Sequence, residues 1–310
     1  MNILITGVGG PAGRSLLKQL RDTDHTVVGV DMSMLPEEDM DAFEFVPAAA
    51  DPTMINTLRE IIDQYRIDML IPTVADELPA VAEASEAGRL GNIEVVIAPL
   101  DGVRRAFDKY LTMVALDAAG VNIPDYALPS DFRGADEPFD ALGDAIVVKP
   151  RVGRGSRGVR LVRRGDEDLT QLDDSHVLQT FAPGTEYSPM VHISRSNNRA
   201  SVAVMEKCGS GGCHSSAVLI KRIAADLEPD VADTAVAAAR ALRLTGPVDL
   251  DIRRSGDGTP VVLEINARFG ANSAHVSELL DNVLADHAAD PETVTDTIGI
   301  DPARSEAPVS

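Results

Sequence analysis

The chain has 310 residues, 44% of them apolar, so it is long enough to bury a sizeable core and to hold two domains. Asp and Glu number 49 against 28 Lys and Arg, a formal charge of -21. That balance excludes a phosphate-backbone footprint on nucleic acid and docking on an anionic membrane surface, and the regular apolar segments exclude an acidic disordered chain.

Only five of the 28 bases are lysine: Lys18, Lys109, Lys149, Lys207 and Lys221. Dispersed acid with scarce lysine is the composition of a protein kept soluble in concentrated salt, where self-repulsion is screened. A halophilic source is therefore expected, and each remaining lysine becomes a candidate for a specific task. Without a signal-peptide pattern or a membrane-length apolar run, the expected location is cytoplasmic. Cys208 and Cys213, beside His214, are too few for a metal site and read as two free thiols at a hairpin end.

In chain order, Asn2–Thr6 reads as a buried strand, Pro11–Arg21 as a helix, Thr26–Val30 as a strand ending at Asp31, and Pro52–Tyr65 as a helix with Ile55, Leu58, Ile61 and Ile62 on one face. Asp68–Pro72 is a strand, Leu78–Ala87 a helix and Glu94–Ala98 a strand. This alternation predicts an α/β, doubly wound parallel sheet. The middle of the chain is α+β in pattern, with mostly antiparallel strands at Ala145–Lys149, Gly158–Val162, His176–Phe181, Glu186–Arg195, Ala200–Lys207 and Ser215–Lys221. A helix at Pro229–Leu242, a hairpin of Pro247–Arg254 and Thr259–Ile265, and a helix at Asn272–Asp286 follow. The Asp-, Pro- and Ser-rich tail from 288 to 310 is expected to fray.

Four segments point to triphosphate chemistry. Lys109 starts a helix. Lys149 ends a buried strand, where a charge is costly unless it meets an anion. The loop that follows carries Gly153, Gly155, Ser156 and Gly158, whose backbone amides can cover phosphates; no helix with GK[ST] follows, so it is not a Walker A loop. Gln179, Ala182 and Glu186 surround a Pro183–Gly184 turn, where they can meet an adenine edge and ribose hydroxyls. In the late hairpin the period of two puts Asp249 with Asp251 on one face and Glu264 with Asn266 and Arg268 on another, and pairing can set Asp251 opposite Glu264 and Asn266. Such oxygen ligands suit Mg²⁺.

The KP…G.GS.GV, GTEY and EINAR segments, in that order, resemble the ATP-grasp superfamily, and within it the carbamoyl-phosphate-synthase-like, carboxylate–amine ligase branch. The resemblance implies a Rossmann-like pre-ATP-grasp domain over 1–107, an ATP-grasp domain over 108–287 with a lid at about 115–180, and a homodimer. It implies that Lys109 and Lys149 hold ATP phosphates, Gly153–Gly158 form a flap, and Gln179, Ala182 and Glu186 line adenine and ribose. Asp251, Glu264 and Asn266 would bind Mg²⁺ (or Mn²⁺), and Arg268 would stabilise the transferred phosphoryl group. The chain departs from the family where Gln179 replaces a common Glu, and the first metal ligand is open between Asp249 and Asp251, with Asp251 favoured. The implied reaction activates a small carboxylate as an acyl phosphate and passes it to an amine, with ADP and phosphate released. Arg222 would neutralise the substrate carboxylate or the phosphoryl group, and Asp76 and Glu77 would serve a helix N-cap or take a substrate amine. Two other readings are an NAD(P)-dependent oxidoreductase using Gly7, Gly10, Gly13 and Asp31, and an ATP-binding subunit without catalysis of its own. The composition predicts that the unfolding midpoint rises with added KCl; a flat or falling midpoint contradicts the salt-adapted reading.

Overall fold

The computed structural model describes residues 1–35, 39–153, 155–208 and 219–288. Its first unit runs β1 (Asn2–Thr6), α1 (Pro11–Leu20), β2 (Thr26–Asp31), β3 (Ala42–Phe45), α2 (Met54–Tyr65), β4 (Met69–Ile71), α3 (Leu78–Glu86) and β5 (Glu94–Val95). These strands make one parallel sheet in the order β3-β2-β1-β4-β5. The strands are apolar on both sides because helices cover both faces. Ile3 and Ile5 cluster with Leu16, Leu17 and Leu20 of α1, while Leu4 clusters with Leu58 of α2 and Val81 of α3.

Two helices, α4 (Leu100–Phe107) and α5 (Lys109–Ala118), lead into a four-stranded antiparallel sheet, β6-β9-β7-β8. It is built from β6 (Tyr126–Ala127), β7 (Ala145–Pro150), β8 (Arg160–Arg163) and β9 (His176–Thr180), with α6 (Glu137–Leu142) on one face. Phe139 and Leu142 of α6 share a small core with Ile146, Val148, Val162 and Leu178, separate from the two cores that join the rest of the molecule.

The third sheet contains β10 (Glu186–Tyr187), β11 (Met190–Ile193), β12 (Ala200–Cys208), β13 (Leu219–Ile223), β14 (Gly246–Arg254) and β15 (Pro260–Asn266), flanked by α7 (Pro229–Ala241) and α8 (Ser277–Ala288). Leu250 and Ile252 of β14 fall in the same core cluster as Leu4 and Leu58 of the first unit.

The strand expected at Glu186–Arg195 is split at Ser188–Pro189, since proline has no N–H to give a ladder. Both halves still lie between β12 and β14. Ser188 N donates to Met205 O at 2.7 Å, and Leu250 N donates to Pro189 O at 3.0 Å, so the sheet continues across the break. The helix expected at Asn272–Asp286 is a short 3₁₀ turn, Ala271–His275, and then α8, with the non-helical Val276 between them. β3, α4, β6 and α6 are short elements without a sequence signal. Of the strand expected at Ser215–Lys221, only the part from Leu219 is described; residues 215–218, Cys213, His214 and the tail from 289 lie outside the described residues. No described helix is long and apolar enough to cross a membrane.

The glycine loop after β1 packs closely against the start of α1. A Cβ on Gly13 would stand 2.4 Å from Gly7 O, so only glycine lets α1 approach this closely. Asp31 Oδ2 accepts from Gly9 N at 2.9 Å and braces the loop, while its Oδ1 accepts from Ser33 N at 3.0 Å in the turn after β2. After β4, the Glu77 carboxyl accepts from Thr6 Oγ1 and, at 3.2 Å, from Val74 N, which fastens the turn before α3.

Burial pushes Glu77 up to about 7. Its proton is therefore retained in the fold above the pH at which the unfolded chain loses it, and stability falls as pH rises through that window. Glu77→Gln keeps the acceptor oxygen, and its added amide costs the same at every pH. The variant should gain about 2 kcal/mol relative to the parent between pH 5 and pH 8. A pH-independent difference in unfolding free energy would contradict the buried-acid account.

Candidate functional site

Two of the scarce lysines are delivered to one crevice by local structure. Asp108 caps α5, accepting from Tyr110 N at 2.9 Å, and is held by Arg151 through Nη2 at 2.7 Å. Lys109 N donates to Arg151 O at 2.9 Å, which ties the start of α5 to the end of β7. The Lys109 side chain is buried; its Nζ donates to Gly153 O at 3.1 Å and lies 3.3 Å from Glu264 Oε1. On β7 the period of two turns Ile146 and Val148 toward α6 and leaves Val147 and Lys149 on the other face. Lys149 is also buried, and its Nζ donates to Leu263 O of β15 at 3.3 Å.

Facing them is the hairpin β14–β15. Its register sets Asp251 opposite Glu264 and Asp249 opposite Asn266, with a bulge after Asp251. The expectation that Asp251 faces both Glu264 and Asn266 is thus corrected: antiparallel pairing is one to one, so Asn266 belongs to Asp249. Burial and the nearby Asp251 carboxylate push Asp249 up to about 6, although Ser188 Oγ donates to it at 3.3 Å.

Lys207 of β12 was not among the expected site residues. Its Nζ donates to Glu186 Oε1 at 2.8 Å and to Asp251 Oδ1 at 2.5 Å. Burial disfavours its charge, but the two carboxylates outweigh that and hold its pKa above the ordinary lysine value. On the other flank of Glu186, Arg253 Nε lies 3.4 Å from Oε2, and its guanidinium stacks 5.5 Å from the Phe181 ring centroid. The sequence signal for Lys207 was the scarcity of lysine itself; its neighbours come from strands distant in the chain.

Between the two antiparallel sheets lies a cavity of about 110 Å³. Lys149, Ser156, Gln179, Ala182, Glu186, Asp251 and Glu264 line it, so seven expected site residues meet there. Lys109, Gly153 and Arg157 join Ser156 and Glu264 around a smaller space beside it. Gly158 has a positive φ of +75°, and a Cβ there would meet Pro150 Cγ at 2.8 Å, so the loop fold depends on glycine. Gly155 is also in the left-handed region, at φ +60°.

Gln179 is buried; its Nε2 donates to Met113 Sδ at 2.9 Å, and its Oε1 has no partner among the described residues. That orphaned acceptor is costly empty and would be satisfied by a ligand N–H, such as the 6-amino group of adenine. Arg268 donates to Phe269 O at 2.7 Å and to Asn266 Oδ1 at 3.3 Å, while its Nε is buried without a partner among the described residues. Asn266 and Arg268 continue the strand beyond the cavity lining. Arg222 does not line the cavity: it is exposed on β13 and paired with Glu278 of α8. Lys221 falls opposite Glu206, on the other face of that strand. Among the described residues no three His, Cys, Asp or Glu side chains converge as a metal site. The expected ligand set instead joins two carboxylates to one amide, an all-oxygen set suited to a cation that keeps phosphate oxygens and water.

The sequence profile of the ATP-grasp domain matches residues 106–272, more than half of the chain. That of the NAD dependent epimerase/dehydratase family matches residues 3–98. The chain is 24% identical to the carbamoyl phosphate synthase large chain of Rubrobacter xylanophilus over 78% of its own length, and spans 25% of that protein. Its fold is similar to that of the L-amino acid ligase from Bacillus licheniformis, with a TM-score of 0.69 and 20% identity, covering 88% of this chain and 68% of that one. The D-alanine–D-alanine ligase from Bacillus anthracis, solved with ATP, aligns with a TM-score of 0.65 and 17% identity over 94% of this chain and 98% of that one.

The Lys207 cluster generates a test. In divalent-free buffer Lys207→Met should lose about 1–3 kcal/mol, because Asp251 and Glu186 keep their charges without a cation between them. Added Mg²⁺ should raise the variant's unfolding midpoint more than the parent's. Equal Mg²⁺ responses would contradict a shared cation position.

Proposed function

Because the chain belongs to the ATP-grasp family, we propose that it is an ATP-dependent, Mg²⁺-requiring ligase that activates a small carboxylate as an acyl phosphate and joins it to an amine. The observation that carries this reading is the orphaned Gln179 acceptor in a cavity that also holds Lys149, Glu186, Asp251 and Glu264. Adenine would enter against Gln179 and Ala182, the ribose hydroxyls would donate to Glu186, and the phosphates would lie toward Lys149, Lys109 and the loop of Gly153, Gly155, Ser156 and Gly158. Asp251, Glu264 and Asn266 would hold Mg²⁺, which when bound neutralises phosphate charge.

In this reading a substrate carboxylate oxygen attacks the γ-phosphorus, and the bond to the β-phosphate bridge breaks, giving ADP and an acyl phosphate. The amine then attacks the acyl carbon, phosphate leaves, and a proton is lost from nitrogen. Lys149 and Arg268 stabilise charge on the transferred group; the unpartnered Arg268 Nε is a donor available for that purpose. The loop over the phosphates excludes water from the acyl phosphate. Residues 1–107 are assigned to a Rossmann-like pre-ATP-grasp domain and 108–287 to the ATP-grasp domain, whose small separately cored sheet forms the lid. A cytoplasmic, salt-adapted dimer completes the proposal.

The profile match over residues 3–98 favours a second reading, binding of a nicotinamide dinucleotide at the glycine loop. Asp31 accepts one N–H on each oxygen, from Gly9 and Ser33, and in this reading a ribose hydroxyl would share those oxygens.

Lys149→Ala and Glu264→Ala should each reduce ADP formation by about 10²-fold or more, with the fold retained in circular dichroism. A screen of carboxylates with amines, in KCl and Mg²⁺, supplies the assay. Unchanged turnover in both variants would overturn the site assignment.

A further inference from the structure

The start of α5 and the end of β7 belong to different packing units. Met113 and Leu116 of α5 lie in the core that joins the parallel sheet to β14 and β15, whereas Ile146 and Val148 of β7 lie in the separate core of the small sheet. Lys109 stands on one side of this joint and Lys149 on the other, so the spacing of the two lysines depends on how α5 is fastened to β7. Lys109 N donates to Arg151 O at 2.9 Å. Arg151 Nε reaches both oxygens of Asp108, at 3.1 and 3.2 Å, and its Nη2 donates to Asp108 Oδ2 at 2.7 Å.

Both members of this pair are held from further sides. Arg151 Nη1 donates to Asp174 O at 3.3 Å, and the guanidinium lies 5.0 Å from the centroid of the Tyr110 ring. Asp108 accepts from Tyr110 N at 2.9 Å and from Leu111 N at 3.3 Å, so the carboxylate that takes the guanidinium fork is also the cap of α5. Neither Asp108 nor Arg151 lines the cavity between the antiparallel sheets or the smaller space at Lys109. Between them in space runs the Lys109 backbone, whose side chain carries the ammonium to Gly153 O and Glu264. A lysine side chain has much rotamer freedom to lose, and fixing its backbone reduces what is left to order when an anion arrives.

We infer that Asp108 and Arg151 are positioning residues for Lys109: clamped together, they hold the start of α5 on the end of β7 and keep the Lys109 ammonium at Gly153 and Glu264, ready for a phosphate. That a phosphate is what Lys109 meets rests on the ligase reading above; the positioning itself stands on the contacts of the pair. The planar fork matters as well as the charge, because one guanidinium serves two carboxylate oxygens and a carbonyl while it stacks on Tyr110, and an ammonium cannot do all of these at once.

The test compares the full chain with Arg151→Met, Arg151→Lys and Asp108→Asn, the last of which keeps a good helix cap while removing the charge. Each lysine's rate of acetylation by N-hydroxysuccinimidyl acetate is read by mass spectrometry without nucleotide, and MgADP and adenosine are then titrated calorimetrically. Lys109 should be acetylated about fivefold faster in Arg151→Met and Asp108→Asn, as its segment opens locally, with Lys149, Lys207 and the exposed Lys18 unchanged. MgADP should bind about tenfold more weakly to Arg151→Met, with Arg151→Lys between it and the parent, and adenosine should bind all four proteins alike. Acetylation of Lys109 unchanged in both variants overturns the inference, and so does an equal rise at Lys109, Lys149 and Lys207, which marks a merely structural role. Faster Lys109 acetylation with undiminished MgADP affinity overturns its link to phosphate. If the parent binds no MgADP, the ligase reading falls, and the acetylation rates alone uphold or overturn the clamp.

Discussion

The crevice between the two antiparallel sheets must balance charge where water is scarce. A chain with a formal charge of -21 places three of its five lysines there, each against oxygen atoms: Lys109 on Glu264 and Gly153 O, Lys149 on Leu263 O, and Lys207 on Glu186 and Asp251. Asp249 of the same hairpin is pushed up to about 6 by burial and the Asp251 carboxylate, against the pull of Arg268 and Lys207. The same balance suits a ligand that brings both anionic phosphates and a divalent cation, since it adds charge of each sign to walls that hold each sign.

The rest of the architecture supports that crevice from different sides. Leu4 of the parallel sheet and Leu250 of β14 share one core, so the first unit and the hairpin form a continuous body. The small sheet with Lys149 and Gln179 rests on its own core around Phe139, Ile146 and Leu178. One wall of the crevice therefore has a core of its own, while Tyr126 of β6 also packs against the main one. The chain spans only a quarter of the carbamoyl phosphate synthase large chain it matches, so its chemistry is argued from this crevice and not from the whole of that protein.

Much of this arrangement follows from local pattern. Strand–helix alternation anticipated the parallel sheet, and the period of two anticipated that Asp249 shares a face with Asp251, and Glu264 with Asn266. Register was beyond reach, because the one-to-one pairing that puts Asn266 opposite Asp249 depends on the turn and on the bulge after Asp251. Long-range partners were equally hidden. Lys207 meets Asp251 across 44 residues, and Arg222 is drawn to Glu278 across 56, contacts that no local spacing encodes. Short elements such as β3 and α6 gave too few residues for a period to emerge. The glycine spacing at Gly7, Gly10 and Gly13 fits both a dinucleotide site and close helix packing, and the structure shows the packing, with Gly13 against the Gly7 carbonyl.

The most direct test of the central claim is a crystal structure of the protein with Mg²⁺ and a non-hydrolysable ATP analogue. The account predicts the purine 6-amino group within hydrogen-bond distance of Gln179 Oε1, the ribose on Glu186, and the phosphates between Lys109, Lys149 and the metal held by Asp251 and Glu264. Nucleotide bound instead at the Gly7–Gly13 loop, with the crevice between the antiparallel sheets empty, would contradict it.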